Sequence, residues 1–332
     1  MKSAKRYLVT GGTGFIGASL VKRLIEDGHF VRVLDNNYRG NKLRLSDISG
    51  DFEFIEGDIR NRGTVIEAAK SMDSICHLAF INGTEYFYEK PELVLEVGVK
   101  GITNVIDACL ESSVSELVLA SSSEVYQTPP TIPTPETVPL SIPDPNNPRY
   151  SYAAGKIISE IMSLNYGRKH IERVIVFRPH NVYGPNMGFK HVLPQFIERV
   201  KDLVEAAGTS TQNLDFSIEG SGKETRAFVY IDDFIDGVML LLEKGEHMGT
   251  YHIGNPEQIT IEQLARITGN YFNVELNILP GELRPGGTPR RCPDISKISK
   301  LGYKPKWQLK DGIATTAAWY VKELENPTTA RV

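Results

Sequence analysis

Tyr152 and Lys156 stand four residues apart in the stretch "RYSYAAGKIISE". On a helix that spacing puts both side chains on one face. A tyrosine with its ordinary pKa of about 10 transfers protons poorly at neutral pH. A neighbouring ammonium favours the phenolate and lowers that pKa. The lysine can also hold a nicotinamide ribose, and a serine hydroxyl beside the tyrosine can hold a substrate alcohol. Together such groups take a hydroxyl proton while hydride leaves the same carbon for NAD. Serines are at hand in "LVLASSSEVYQTPP", where an apolar run ends in Ser121, Ser122 and Ser123, followed by Glu124. A glutamate at a strand mouth either faces water or does acid–base work.

The tyrosine–lysine spacing is not selective by itself. "YFYEK" repeats it with Tyr86 and Lys90. That pair precedes Pro91 and follows no serine cluster, so it is set aside. "GSGKETR" (220–226) looks at first like a phosphate-binding loop. It fails, because Glu224 stands where a Ser or Thr should hold magnesium and the first glycine is misplaced.

A second chemical signal lies in "YLVTGGTGFIGASLVKRLIEDGHFVRVLD". Gly11, Gly14 and Gly17 follow a strand and open a helix. In order, they permit a tight turn, close approach to a pyrophosphate, and close packing of helix on sheet. The helix start offers free N–H groups and a positive dipole end to phosphate. Asp35 ends the next strand, where a carboxylate accepts the adenosine-ribose hydroxyls and repels a 2′-phosphate. NAD is therefore expected over NADP, with Arg39 the residue that argues the other way. Asp58 in "EGDIR" is expected at the adenine edge. In "HLAF" the small Ala79 lets a cofactor approach, while His77 reads as a packed side chain. The expected cofactor contacts are Gly11, Gly14, Phe15, Ile16, Gly17, Asp35, Asn36, Asp58, Ile59, Leu78 and Ala79, with Tyr152 and Lys156.

These residues need a scaffold that brings strand ends together. Apolar runs at 6–10, 30–35, 52–57, 74–79, 116–121 and 173–177 alternate with helix-period segments at 15–27, 61–71, 92–112 and 150–169. Strands alternating with helices predict right-handed βαβ units and a doubly wound parallel sheet, an α/β Rossmann-like fold. Eight prolines crowd residues 127–148, which predicts a stiff surface loop without regular structure. Beyond 180 the rhythm loosens, with helices expected near 190–206, 232–244, 260–272 and 310–324. Short strands are expected at 214–218, 226–231, 249–253 and 274–279. The expectation is an NAD-binding domain over 1–180 and a smaller C-terminal α/β lobe over 181–332, some of its segments returning to the sheet.

Composition bounds the alternatives. The 332 residues carry a net charge of -4, so no general basic field attracts nucleic acid or an anionic membrane. The longest apolar run near a helix, "VMLLL" (238–242), is too short to span a bilayer. Three cysteines at 76, 109 and 292 form neither a zinc spacing nor a disulfide framework. No metal is expected, and the location expected is cytoplasmic.

As a set, "TGGTGFIG", Asp35, "GDIR", "HLA", "SSSEVY", Tyr152/Lys156, "RPHNVYGP", "TRAFVYIDD" and "RPGGTPRRCPDISKI" resemble the extended short-chain dehydrogenase/reductases, the NAD-dependent nucleotide-sugar epimerases and dehydratases. The resemblance implies NAD as cofactor, a nucleotide-diphosphate sugar as substrate, and a homodimer. It implies Ser122 as the catalytic hydroxyl beside Tyr152 and Lys156. It gives Asn181, Arg226 and Arg284 the places of pyrophosphate contacts, and the segment 188–196, including Val192, the place that covers the nucleotide base. The chain departs from the family where Gly98 replaces a common Asn, where Gln127 replaces the Gly of "VYG", and at His180.

The resemblance also gives Glu124 a role. Oxidation at C4 of a sugar makes the C5 proton acidic, and a positioned carboxylate can take it. The first expectation is therefore a 4,6-dehydratase type of reaction, with Ser123 beside Glu124. A 4-epimerase is a second. The serine–glutamate pair, Gly155 and Arg291 also resemble hexuronate decarboxylases, a third. A non-catalytic NAD-binding regulator is a fourth, against which the complete Ser122/Tyr152/Lys156 set argues.

Overall fold

The computed structural model describes residues 4–208, 213–282 and 288–326. The first half alternates strand and helix: β1 (Arg6–Thr10), α1 (Phe15–Glu26), β2 (Phe30–Asp35), β3 (Phe52–Glu56), α2 (Arg62–Ala69), β4 (Ser74–His77), α3 (Thr84–Glu89), α4 (Pro91–Glu111), β5 (Glu116–Ala120), α5 (Ser151–Gly167) and β6 (Arg173–Pro179). After it come β7 (Val182–Tyr183), α6 (Val192–Ala207), β8 (Asn213–Ile218), β9 (Thr225–Ala227), β10 (Val229–Tyr230), α7 (Ile231–Lys244) and β11 (Gly249–Ile253). The chain closes with β12 (Gln258–Thr260), α8 (Ile261–Tyr271), β13 (Glu275–Pro280), β14 (Arg290–Arg291), α9 (Ser296–Ser299) and α10 (Leu309–Glu325).

Seven strands form one parallel sheet in the order β3-β2-β1-β4-β5-β6-β11. The central strands β4 and β5 are buried along their whole length, as their unbroken apolar runs require when helices cover both faces. One face packs under α2, α4 and α5, with Leu8, Ile75, Val105 and Leu117 in its core. The other packs under α1, α7 and the C-terminal elements, with Val9, Val118, Phe177 and Phe234. The strand order reverses between β1 and β4, and in such sheets the crevice outside the carboxyl ends at that point receives ligands. Asp35 ends β2, and Gly11, Ala79 and Ser122 come just after β1, β4 and β5, all at that edge.

Local sequence explains the helix starts that matter here. Pro91 occupies the first turn of α4, where its missing N–H costs nothing. Helix α5 enters through a 3₁₀ turn, Pro148–Tyr150, whose first N–H groups are met by the Asn147 side chain accepting from Arg149 N. That turn sets Tyr152 and Lys156 in the first turns of α5, both buried.

The run 226–231, expected as one strand, is two. Thr225–Ala227 pairs with β12 and β14, whereas Val229–Tyr230 pairs with β7. The chain changes sheets at Phe228, and α7 begins at once. The short β7, β12 and β14, and the helix α3 over "TEYFYE", have no sequence expectation, because two or three residues carry no period and α3 makes fewer than two turns.

The proline-rich loop is ordered by backbone bonds rather than by elements. Thr134 N donates to Cys292 O at 2.8 Å, and Asp294 N donates to Thr134 O at 2.8 Å. Ser141 N donates to Val125 O at 3.0 Å. Among the described residues no helix is long and apolar enough to cross a membrane.

Candidate active site

The first glycine turn leaves no room for side chains. Gly11 has φ +75°, and a Cβ there would lie 2.7 Å from Ala79 N; one on Gly17 would lie 2.1 Å from Gly11 O. Asp35 closes the turn from the side. Its carboxylate accepts from Thr13 N at 3.0 Å and from Asn37 N at 2.9 Å. A cleft runs from Asp35, Asn36, Asp58, Ile59 and Arg60 past Leu78 and Ala79, and on to Phe15, Ile16, Gly17, Ser122, Glu124, Tyr152 and Lys156. Its second part encloses about 410 Å³. A bare glycine turn at a helix start, an acid at the next strand end and a long cleft between them fit a dinucleotide. Asn36 Nδ2 donates to Asp58 at 2.9 Å. Arg60 bonds the same carboxylate through Nε and Nη2, and this guanidinium leads in holding Asp58 below its usual range. Arg39 lies over the Tyr86 ring, 4.9 Å from its centroid.

The three serines separate. Ser121 Oγ turns away to the Glu160 carboxylate. Ser122 Oγ accepts from Glu124 N at 3.1 Å and lies near enough to the Tyr152 phenol to pull its pKa down. Ser123 is buried in the 3₁₀ turn that follows and lines the cleft. Burial pushes the Tyr152 phenol up, against the pull of Ser122 and Arg291. Lys156 Nζ donates to Ala120 O at 2.7 Å and lies 5.8 Å from the Tyr152 ring centroid. Burial takes the lysine down to about 7, with Glu160 pulling the other way. His77 is a packed residue, bonded to Thr10 Oγ1 at 2.8 Å and brought to about 3 by burial.

Glu124 is held by arginines. Arg291 Nη1 donates to its Oε1 at 2.7 Å, and Arg149 Nη2 lies 3.8 Å from Oε2. Burial raises this carboxyl, but Arg291, Arg149 and Arg226 outweigh it and leave it below the usual range. Arg226 pairs in register with Arg291, β9 against β14. It donates to Thr225 O at 2.9 Å, and burial with Arg291 nearby takes it to about 10. Asn181 lines the cleft with φ +43°, its Nδ2 donating to Ala227 O at 2.9 Å. Val192 opens α6 and packs against the core beside the cleft-lining His191. Arg284 lies outside the described residues.

Sequence reasoning missed Arg149 and Phe80. Arg149 is marked only by Asn147 and Pro148 before α5. Phe80, a bulky residue directly after a strand mouth, had a signal in the two glycines, Gly98 and Gly155, that make room for it. The departure at Gln127 has a local cause. Its φ is +53°, which glycine adopts without cost, and the glutamine offsets the strain with a bond from Nε2 to Glu124 O at 2.6 Å.

A buried polar layer underlies the site. Arg178 reaches Glu160 through Nε at 2.8 Å and Nη2 at 2.6 Å and also bonds Tyr126. Tyr126 Oη meets His252 Nε2 at 2.7 Å, and His252 N donates to Glu136 Oε1 at 2.9 Å. His180 lies beside His252, ring centroids 4.7 Å apart.

Residues 7–254 match the model of the "NAD dependent epimerase/dehydratase family". The chain is 31% identical to UDP-glucuronic acid decarboxylase 5 of Arabidopsis thaliana, covering 94% of this chain and 88% of that protein. It is 28% identical to UDP-N-acetyl-alpha-D-glucosaminuronate decarboxylase of Bacillus cytotoxicus, covering 97% and 99%. The dTDP-glucose 4,6-dehydratase of Streptomyces venezuelae, solved with NAD bound, superposes with a TM-score of 0.84 at 29% identity, covering 96% of this chain and 98% of that one. With a family match over most of its length, relatives along nearly all of it, and a cleft that fits the dinucleotide, the chain belongs to the NAD-dependent epimerase/dehydratase family and is an NAD-dependent enzyme.

Proposed function

We propose that the protein removes CO2 from a nucleotide-diphosphate-linked hexuronic acid. The observation that carries this reading is the Glu124–Arg291 pair, 2.7 Å apart beside Ser122 and Tyr152. Two of the relatives bear decarboxylase names for nucleotide-linked uronic acids.

The chemistry NAD would supply when bound is reversible hydride transfer at the sugar carbon, with no net oxidation. Gly11, Gly14 and Gly17 admit its pyrophosphate, Asp35 its adenosine ribose, and Lys156 its other ribose. Tyr152, beside Ser122, takes the hydroxyl proton and returns it. A sugar carboxylate placed beta to a C4 ketone needs no base to leave as CO2. The bonding pair from C6 passes to C5 and the C4 oxygen as an enolate, which Tyr152 and Ser122 can hold by hydrogen bonds. A proton taken up from solvent then adds at C5 in place of the lost carboxylate. Arginine forks suit carboxylates, and Arg291, which lines the cleft while it bonds Glu124, would hold that carboxylate. Arg226 and Asn181 are also proposed contacts of the diphosphate, with Val192 at the edge of the base site.

Dehydration, the first expectation from sequence, asks Glu124 to act as a base towards C5. Three guanidiniums make it a weak one. The likeness to a 4,6-dehydratase keeps that second reading in view. One experiment separates them. Purified protein is incubated with UDP-glucuronate, UDP-N-acetylglucosaminuronate, UDP-glucose and dTDP-glucose, and products are weighed by mass spectrometry and their ring configuration read by NMR. Loss of CO2 from a uronate supports the proposal. Loss of water from a neutral hexose, with uronates untouched, overturns it, and a change of configuration without change of mass points to an epimerase.

A further inference from the structure

The Phe80 ring is lodged in a notch made by glycines of two neighbouring helices. A Cβ on Gly98 of α4 would lie 2.4 Å from Phe80 Cζ, and one on Gly155 of α5 would lie 2.8 Å from the same atom. Any side chain at either position must displace the ring. From this seat the ring meets both members of the proton-transfer pair. Its centroid is 4.1 Å from Lys156 Nζ. It is 5.1 Å from the Tyr152 ring centroid, edge to face at 83°. Phe87 of α3 stacks on Tyr152 at 5.0 Å, so the phenol ring is gripped by two aromatics of different orientation.

We propose that Phe80 is a positioning residue: seated by Gly98 and Gly155, its ring caps the Lys156 ammonium and fixes the set of the Tyr152 phenol. The inference rests on Tyr152 and Lys156 being the proton-transfer pair and on Lys156 holding the cofactor ribose; it is independent of which sugar reaction follows. An ammonium over an aromatic face is attracted by the ring quadrupole, more strongly where water is excluded. The ring acts on Lys156 in two opposed ways. It keeps water out, which disfavours the ammonium, and it offers a π face, which favours it. The other groups facing Lys156 are few. Tyr152 and Glu160 come from α5, β4 brings the neutral His77, and β5 brings the Ala120 carbonyl.

Two substitutions pull these effects apart. Phe80→Leu keeps bulk and loses the π face, so Lys156 should titrate lower. Phe80→Ala admits water, so Lys156 should titrate higher. The readout is the affinity of the nucleotide-free protein for NAD, measured by calorimetry across neutral and mildly alkaline pH with no sugar present. Wild-type affinity should weaken as Lys156 loses its proton. The midpoint should move down by about half a unit to one unit in the Leu variant and up in the Ala variant. Midpoints that stay put, or that move the same way, overturn the proposal, as does a wild-type affinity indifferent to pH. Should Phe80→Ala not fold, the Leu variant decides alone, and an unshifted or raised midpoint refutes. A double-mutant cycle checks the seat itself. Gly98→Ala should weaken NAD binding by about ten-fold in the wild type and by much less once Phe80 is Ala. Equal losses in both backgrounds would show that the ring is not what Gly98 accommodates. Because no sugar enters these measurements, a failed decarboxylation assay leaves them standing.

Discussion

Arg291 holds Glu124 across 167 residues of chain, Nη1 to Oε1 at 2.7 Å, with its Nη2 anchored on Thr288 Oγ1 at 3.0 Å. The pair sets both the charge of the cleft floor and part of its stability. Glu124 sits below the usual carboxylate range when folded, so its contribution is present above the unfolded value of about 4.3 and is lost as pH falls through the folded value. Arg291→Leu should cost about 2 kcal/mol at neutral pH. The gap from wild type should narrow in urea titrations carried into that acid range. An undiminished gap at low pH would mean that the loss is one of packing, not of charge.

Glu124→Gln tests the chemistry rather than the fold. Under the decarboxylase reading, which asks no base of Glu124, CO2 release should stay within about ten-fold of wild type, whereas dehydration, which needs Glu124 to take the C5 proton, should slow by about 10²-fold or more. Formation of enzyme-bound NADH, followed by absorbance on mixing with a uronate, should persist. Loss of the absorbance signal itself would move Glu124 into the oxidation step.

Tyr152→Phe removes the phenolic proton and keeps the ring between Phe80 and Phe87. Turnover should fall by about 10²–10⁴-fold. NAD affinity and thermal midpoint should stay close to wild type. A variant with more than a tenth of native turnover would remove Tyr152 from the mechanism.

How much of this was legible beforehand depended on the range of the signal. The glycine turn, Asp35 and the Tyr152/Lys156 spacing are local patterns, and the sheet that brings them together follows from the alternation of strands and helices. The choice among three serines was not local: Ser121 is drawn off by Glu160, thirty-nine positions along the chain. Nor was the state of Glu124, which depends on arginines delivered by a 3₁₀ turn and by a two-residue strand. Such elements carry no period. Phe80 was visible as a residue, but its meaning lies in two glycines on different helices.

Gly17→Ala should abolish tight NAD binding, because its Cβ would lie 2.1 Å from Gly11 O and 2.8 Å from Gly12 Cα. Overpacking of this kind costs about 1–3 kcal/mol. Gly63→Ala, near the start of α2 with only Asn61 Oδ1 at 3.5 Å, is the control and should be neutral or stabilising by up to about 1 kcal/mol. Equilibrium unfolding and NAD titration of both variants check the contrast.

Glu160 and Arg178 form a buried pair, their side chains 2% and 5% exposed. Glu160→Gln leaves a guanidinium buried without its counter-charge and should destabilise by about 3–5 kcal/mol. The double variant Glu160→Met/Arg178→Met should be less damaging than that single change. A double variant as unstable as the single would mean that the pair contributes more than its own charges.

The clasp at Thr134 gives the cleft an unusual hinge constraint. The strap bearing Arg291 is buttoned to the proline-rich loop on both sides of one residue, through Cys292 O and Asp294 N. It is tied again where Thr288 meets the Gln127 carbonyl. Loop and strap therefore travel as a single slab. Any opening wide enough to admit a bulky sugar on that side must swing the whole slab, or else unpick its backbone stitches one by one.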